Sequence, residues 1–102
     1  MDRVQFMRCI EESNVTHADI LSKFFDQYMI LYNLIEKIDR IIFLSSDNNN
    51  VVFQLCCSDE KVLPPIIDRI QSQSMVMIYN KTFTVQYSNI TANTIDISIT
   101  LM

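Results

Sequence analysis

The sequence contains no glycine in 102 residues, although average usage of about 7% would give roughly seven. Glycine is the residue that adopts positive φ without steric cost and lets a backbone approach a phosphate closely. Walker loops and dinucleotide-binding turns need glycine at fixed positions, so the sequence excludes both motifs. Tryptophan is also absent, and proline occurs only twice.

Clustered positive charge is missing as well. Eight Lys and Arg residues stand against twelve Asp and Glu residues, which gives a formal net charge of −4. Nucleic-acid affinity depends on clustered Lys and Arg that neutralise phosphates, and here the basic residues are scattered. We therefore expect no direct nucleic-acid binding. The acidic balance favours a basic protein partner, such as a protein that itself handles nucleic acid.

Long apolar runs are absent too. No run approaches the ~18 residues that a membrane span requires, so we expect no membrane association. The first residues lack the basic start and apolar stretch of a secretory signal, which makes the cytoplasm the expected location, or the host cytoplasm for a viral protein. Fifteen Ile and eight Asn residues suggest AT-rich coding, as in viruses, phages and low-GC bacteria. With 49% hydrophobic residues, residues 1–102 are expected to fold as one domain.

Hydrophobic periodicity predicts eight elements in the order ααββαβββ. The predicted helices cover residues 2–12, 16–39 and 63–72, and the predicted strands cover 41–44, 51–57, 75–79, 82–87 and 94–101. Pro64 and Pro65 suit the first turn of the third helix, and a tight turn is expected at Asn80 and Lys81. The order predicts a two-layer α+β domain with a twisted five-stranded, mostly antiparallel sheet and helices on one face. The third helix could make a right-handed crossover that gives one parallel strand pair.

The longest predicted helix has an apolar arc wider than one sheet contact needs. The flank of that arc consists of Leu21, Phe25, Tyr28, Met29 and Tyr32. Aromatic residues and Met are enriched at protein interfaces, so Phe25, Tyr28, Met29 and Tyr32 are candidate partner-binding residues. The alternative is that the first helix covers this flank within the monomer, through Phe6, Met7 and Ile10.

The last predicted strand is a second candidate surface. Thr94, Asp96, Ser98 and Thr100 alternate with apolar residues, as in a strand with one buried face. The strand lacks the Lys or Pro that protects a natural sheet edge. If this strand lies at the edge of the sheet, a homodimer could form by pairing of two such edges. Burial of its Thr-rich face would also give a homodimer. The alternative is a central strand that is already paired on both sides.

The residues available for metal or nucleophilic chemistry are Cys9, His17, Cys56 and Cys57. Adjacent strand residues point to opposite faces, so Cys56 and Cys57 do not converge on a zinc ion, and three cysteines indicate no disulfide framework. His17 lies at the start of the long helix, where the helix dipole disfavours an imidazolium. We expect no metal, no cofactor and no catalytic residue.

The sequence has no phosphate-binding loop, metal cluster or basic patch, and it is rich in Met, Phe and Tyr, which are common at interfaces. Together these features favour a non-enzymatic protein-binding module. An inhibitor, immunity-type protein or adaptor that occupies the surface of a partner fits this description. One alternative is a structural or assembly subunit that only self-associates. The other is a small thiol-dependent enzyme that uses Cys9, Cys56 or Cys57 with His17.

Overall fold

The computed structural model describes residues 1–12, 18–28, 33–47 and 49–102. Within these ranges the chain forms three α-helices and an open five-stranded sheet, in the predicted order ααββαβββ, which confirms the α+β class. The helices are α1 (Arg3–Glu12), α2 (Ala18–Gln27) and α3 (Leu63–Ser72). The strands are β1 (Arg40–Ser46), β2 (Asn50–Cys56), β3 (Met75–Ile78), β4 (Lys81–Ser88) and β5 (Thr94–Leu101).

The strands are arranged in the spatial order β1-β2-β5-β4-β3, and each of these four neighbouring pairs is antiparallel. The expected parallel pair is therefore wrong. Helix α3 does connect β2 to β3, but it carries the chain to the far edge of the sheet rather than to a neighbour of β2. The strands β4 and β5 then return toward β2, and β5 fills the place beside it.

The core lies between the helices and one face of the sheet. Side chains alternate between the two faces of a strand, and the buried set on this face is Ile41, Val51, Phe53, Leu55, Val76, Ile78, Phe83, Val85, Ile95, Ile97 and Ile99. An aromatic contact path crosses the two layers. The ring of Phe6 in α1 lies 4.3 Å from that of Phe25 in α2, which lies 5.4 Å from that of Phe53 in β2.

The prediction of one continuous helix as far as residue 39 is wrong, because α2 ends at Gln27 and Tyr28 is not helical. Residues Ile35–Lys37 form a short 3-10 helix, and Ile38 has extended backbone with φ of −86° and ψ of 123°. Ile35 and Ile38 are both buried. The helical spacing of apolar residues continues in a 3-10 turn, and the hydrophobic pattern alone does not distinguish that turn from a continuing α-helix.

The turns show where local chemistry set the boundaries. Helix α3 covers the predicted residues, with its prolines in the first turn. The turn between β3 and β4 consists of Tyr79 and Asn80, one residue earlier than predicted. Both residues have positive φ, 51° and 61°, as the central residues of a type I′ turn do. Asparagine adopts positive φ more readily than most residues, but a tyrosine in a sequence does not predict this conformation.

Candidate protein-binding surface

None of the described helices packs on the second face of the sheet, which we call the open face. Its residues alternate with the buried set and are exposed or half-buried, apart from Asp96. They are Arg40, Ile42, Ser45, Asn50, Val52, Gln54, Cys56, Met75, Met77, Thr82, Thr84, Gln86, Ser88, Thr94, Asp96, Ser98, Thr100 and, directly after β5, Met102. Ring contacts from α2 to Phe53 place the helix layer on the opposite side.

The predicted residues of the last strand lie on this open face, but the strand itself is central. β5 pairs with β2 from Thr94 to Thr100 and with β4 from Asp96 to Leu101. Its backbone groups are used on both sides, so the predicted homodimer through an exposed β5 edge is wrong. Thr94, Ser98 and Thr100 remain half-buried on the open face, where their side chains can still be covered.

The predicted helix flank lies in the core at the three positions that the structure describes, Leu21, Phe25 and Tyr28. Phe25 is 2% exposed and packs against Phe6 of α1, so the alternative of coverage within the monomer is correct there. Tyr28 is also buried, and its hydroxyl donates a 2.8 Å hydrogen bond to the carbonyl oxygen of Gln73. Desolvation raises the pKa of Tyr28 to about 12. Met29 and Tyr32 lie outside the described residues.

A buried carboxylate lies within the open face. Asp96 is only 7% exposed, and both of its oxygens accept hydrogen bonds from side-chain amides. Gln54 Nε2 donates to Oδ1 at 3.0 Å, and Asn89 Nδ2 donates to Oδ2 at 2.9 Å. The Cys56 thiol donates to the oxygen of the same Gln54 amide, with Sγ 3.6 Å from Oε1. The sequence identified Asp96 as a surface residue of β5, but its amide donors come from β2 and from the residue after β4.

A second polar group lies nearer the other end of β5. Asn50 Oδ1 accepts hydrogen bonds from Ser98 Oγ at 2.9 Å and from Thr100 Oγ1 at 2.8 Å. Thr84 Oγ1 is 3.4 Å from the carbonyl oxygen of Thr100. Since these polar atoms already have protein partners, covering them would not leave them without hydrogen bonds. The usual cost of desolvating polar groups, roughly 1–3 kcal/mol for each group left unsatisfied, is largely avoided here.

Three exposed methionines share one corner of the open face, which we call the methionine corner: Met75, Met77 and Met102. Their exposed fractions are 56%, 62% and 73%. Met77 pairs with Thr82 across the β3–β4 ladder, and the backbone N–H of Met102 donates to the carbonyl oxygen of Thr82 at 3.0 Å. Methionine is enriched at protein interfaces and adapts its shape to a partner. This corner therefore groups three exposed apolar side chains, while Leu44, 50% exposed at the bulge of β1, lies at the opposite edge of the sheet.

Sequence reasoning missed the methionine corner. In β3 apolar residues occupy both faces, because Met75 and Met77 alternate with the buried Val76 and Ile78. Alternating hydrophobicity therefore gives no sign of which face is open. The pairing with Thr82 and Thr84 is the informative feature, since a strand face that adjoins threonines is unlike a core face, but that pairing is known only from the register.

The thiols give little support to nucleophilic chemistry. Burial raises the pKa of the Cys57 thiol to about 11, with a further contribution from the nearby Asp39 carboxylate. At neutral pH Cys57 is therefore a protonated thiol, the less reactive form. Among the described residues no group of three or more His, Cys, Asp or Glu side chains is arranged to hold a metal ion. His17, which the thiol-enzyme alternative would pair with a cysteine, lies outside those residues.

A shallow depression of about 380 Å³ lies between the start of α3 and the loop after β4. Its lining consists of Glu60, Lys61, Leu63, Pro64, Ile67, Ile90, Thr91 and Ala92. It brings one acidic and one basic side chain to a mostly apolar wall. Neither a cysteine nor a histidine of the described chain lines it, so it lacks the nucleophile that the thiol-enzyme alternative requires.

Comparison with family models, curated proteins and solved structures gives no match for this chain. Each of the three described helices is ten residues long, and none has the length and apolar character needed to cross a membrane. Function is therefore inferred from surface geometry alone.

Proposed function

We propose that the chain is a non-enzymatic protein-binding module that acts through the open face of its sheet. One observation carries this proposal: the described helices cover one sheet face, while the other combines the methionine corner with polar side chains, several of which are already hydrogen-bonded within the chain. Antiparallel sheets commonly leave one face to solvent, but such a face is usually polar throughout. Exposed apolar residues grouped at one corner are more typical of an interaction site.

The charge on the open face indicates the kind of surface that it would contact. Among the open-face residues only Arg40 and Asp96 carry a formal charge, and Asp96 is buried beneath two amides. A basic partner would find no exposed carboxylate among them. The net charge of −4 still favours the approach of a basic partner at long range. We therefore propose a contact surface without strong charge, in an inhibitor, immunity-type protein or adaptor.

The thiol-enzyme alternative has less support. Cys57 is buried with a raised pKa, and Cys56 directs its sulfur toward the Gln54 amide within the open face. Nucleophilic cysteines need a lowered pKa and access to substrate. Neither condition is met at Cys57.

Site-specific photo-crosslinking in the native cell tests the proposal. A photoreactive amino acid replaces Met77 in one variant and Val4 in the other, since Val4 is a 67% exposed apolar residue on α1, away from the open face. We expect position 77 to give an adduct with one defined protein and position 4 to give none. The identified protein should then bind the purified chain, and Met77→Lys should weaken that binding about tenfold or more, while Val4→Lys leaves it unchanged.

Two outcomes would overturn the proposal. One is equal crosslinking at both positions, which would indicate non-specific contact. The other is the absence of any adduct at position 77 in a chain whose circular dichroism spectrum shows that it is folded.

A further inference from the structure

We infer that the open face is covered by a second copy of this chain, packed face to face about a two-fold axis. This inference rests on the proposed binding surface and assigns that surface to self-association, as in the assembly-subunit alternative, rather than to an inhibitor or adaptor role. It would produce four layers in the order helix, sheet, sheet, helix, with the two sheets about 10 Å apart. A two-fold contact uses the same patch on both copies, so the patch must be compatible with itself.

The area of the open face is sufficient for a weak, reversible dimer. The sheet has five strands, of which β1 and β2 have seven residues, β4 and β5 have eight, and β3 has four. Strand spacings of about 4.8 Å and a rise of about 3.3 Å per residue give a face of roughly 540 Å². Two such faces bury roughly 1,100 Å², which exceeds the roughly 1,000 Å² expected of a biological interface and lies just below the range of tightly bound complexes.

The charge distribution permits the pairing although each copy carries a charge of −4. The open face brings no exposed carboxylate into the contact, since Asp96 is buried and bonded to amides. Exposed acids such as Glu11, Glu12 and Asp19 belong to α1 and α2, on the other side of the sheet. Two sheet layers would separate these acids in the dimer. Surface charges separated by more than about 8 Å are largely screened at physiological ionic strength.

The hydrogen bonds of the face also suit a second copy. Asp96 and Asn50 have their side-chain oxygens occupied by donors of the same chain. A partner therefore needs no matching donors for these oxygens, and an identical face is one of the uncharged surfaces that meet this condition. The methionine corner supplies adaptable apolar contact area to the pair.

Analytical ultracentrifugation of the purified chain over a wide concentration range tests the inference. The chain has a mass of 12.0 kDa, and we expect a reversible transition to twice that mass. Met77→Lys should raise the dimer dissociation constant about tenfold or more, which corresponds to about 1.4 kcal/mol. The matched control Val4→Lys changes an equally exposed apolar residue on α1 and should leave the dissociation constant unchanged. Circular dichroism of both variants checks that the fold is retained.

Each other outcome has a definite meaning. A chain that stays monomeric at every concentration overturns the second-copy inference. Photo-crosslinking of a different protein at position 77 would then preserve the proposed function, whereas no adduct would overturn both. A dimer that is unaffected by Met77→Lys and by Ser98→Arg, at the centre of the open face, forms elsewhere and also overturns the inference. If Ser98→Arg does not fold, Met77→Lys alone decides.

Discussion

Replacing Phe25 with alanine tests whether the aromatic side chains of α2 belong to the core or to an interface. Phe25 is 2% exposed, and its ring centroid lies 4.3 Å from that of Phe6 and 5.4 Å from those of Phe24 and Phe53. Truncation of a buried Phe to Ala costs about 3–5 kcal/mol. The three ring contacts favour the upper part of this range, since each aromatic pair contributes about 0.5–1.5 kcal/mol beyond its buried area.

We therefore expect Phe25→Ala to lower the free energy of unfolding by about 4 kcal/mol. The free energy of unfolding of a domain of this size is about 5–15 kcal/mol, so the variant should be marginally folded. Urea unfolding followed by far-ultraviolet circular dichroism is the suitable assay, because the chain has no tryptophan for fluorescence. The control Val4→Ala, at an exposed position, should change the free energy by less than about 0.5 kcal/mol. A loss below about 1 kcal/mol for Phe25→Ala would refute its placement in the core.

Three further perturbations follow from the structure. Stability should fall as the pH rises from about 9 to about 12, because the unfolded chain releases the protons of Cys57 and Tyr28 before the folded chain does, their folded pKa values being about 11 and 12. Tyr28→Phe should remove the Tyr28 share of this fall, which begins near pH 10 and amounts to about 2–3 kcal/mol, and should leave the Cys57 share, in urea unfolding measured at several pH values. The double substitution Tyr79→Asn with Asn80→Gly should raise the free energy of unfolding by about 1 kcal/mol, since both residues have positive φ; no gain in melting temperature would contradict that turn geometry. Asp96→Ala should cost about 2 kcal/mol by removing the buried, charged acceptor of two amide hydrogen bonds, and an unchanged urea midpoint would show that these hydrogen bonds are not formed.

The elements were predictable from sequence where local chemistry determines them. The prolines at the start of α3 and the strict alternation of β5 identified both elements with the bounds that the structure shows. The end of the long predicted helix, near residue 39, and the turn at Tyr79 were not predictable to the residue. A 3-10 turn continues the apolar spacing of a helix, and positive φ at a tyrosine has no sequence signature.

The order of the strands in the sheet could not be predicted from the sequence. Alternating hydrophobicity shows that a strand has two different faces, but not which strands lie beside it. β5 was therefore expected either at an edge or in the centre, and only the ladders to β2 and β4 settle its place. The same limit applies to the candidate surface. The polar residues of β5 were identified from the sequence, but the methionine corner depends on β3 lying at the edge beside β4.

Methyl-labelled methionine gives the most direct test of whether the open face is the covered surface. The six methionines, including Met7 on α1, provide probes on different parts of the chain. As the protein is concentrated, the methyl resonances of Met75, Met77 and Met102 should shift together in the NMR spectrum, while that of Met7 should stay in place. Concentration-independent resonances for the methionine corner, or a shift confined to Met7, would contradict the proposed pairing of two open faces.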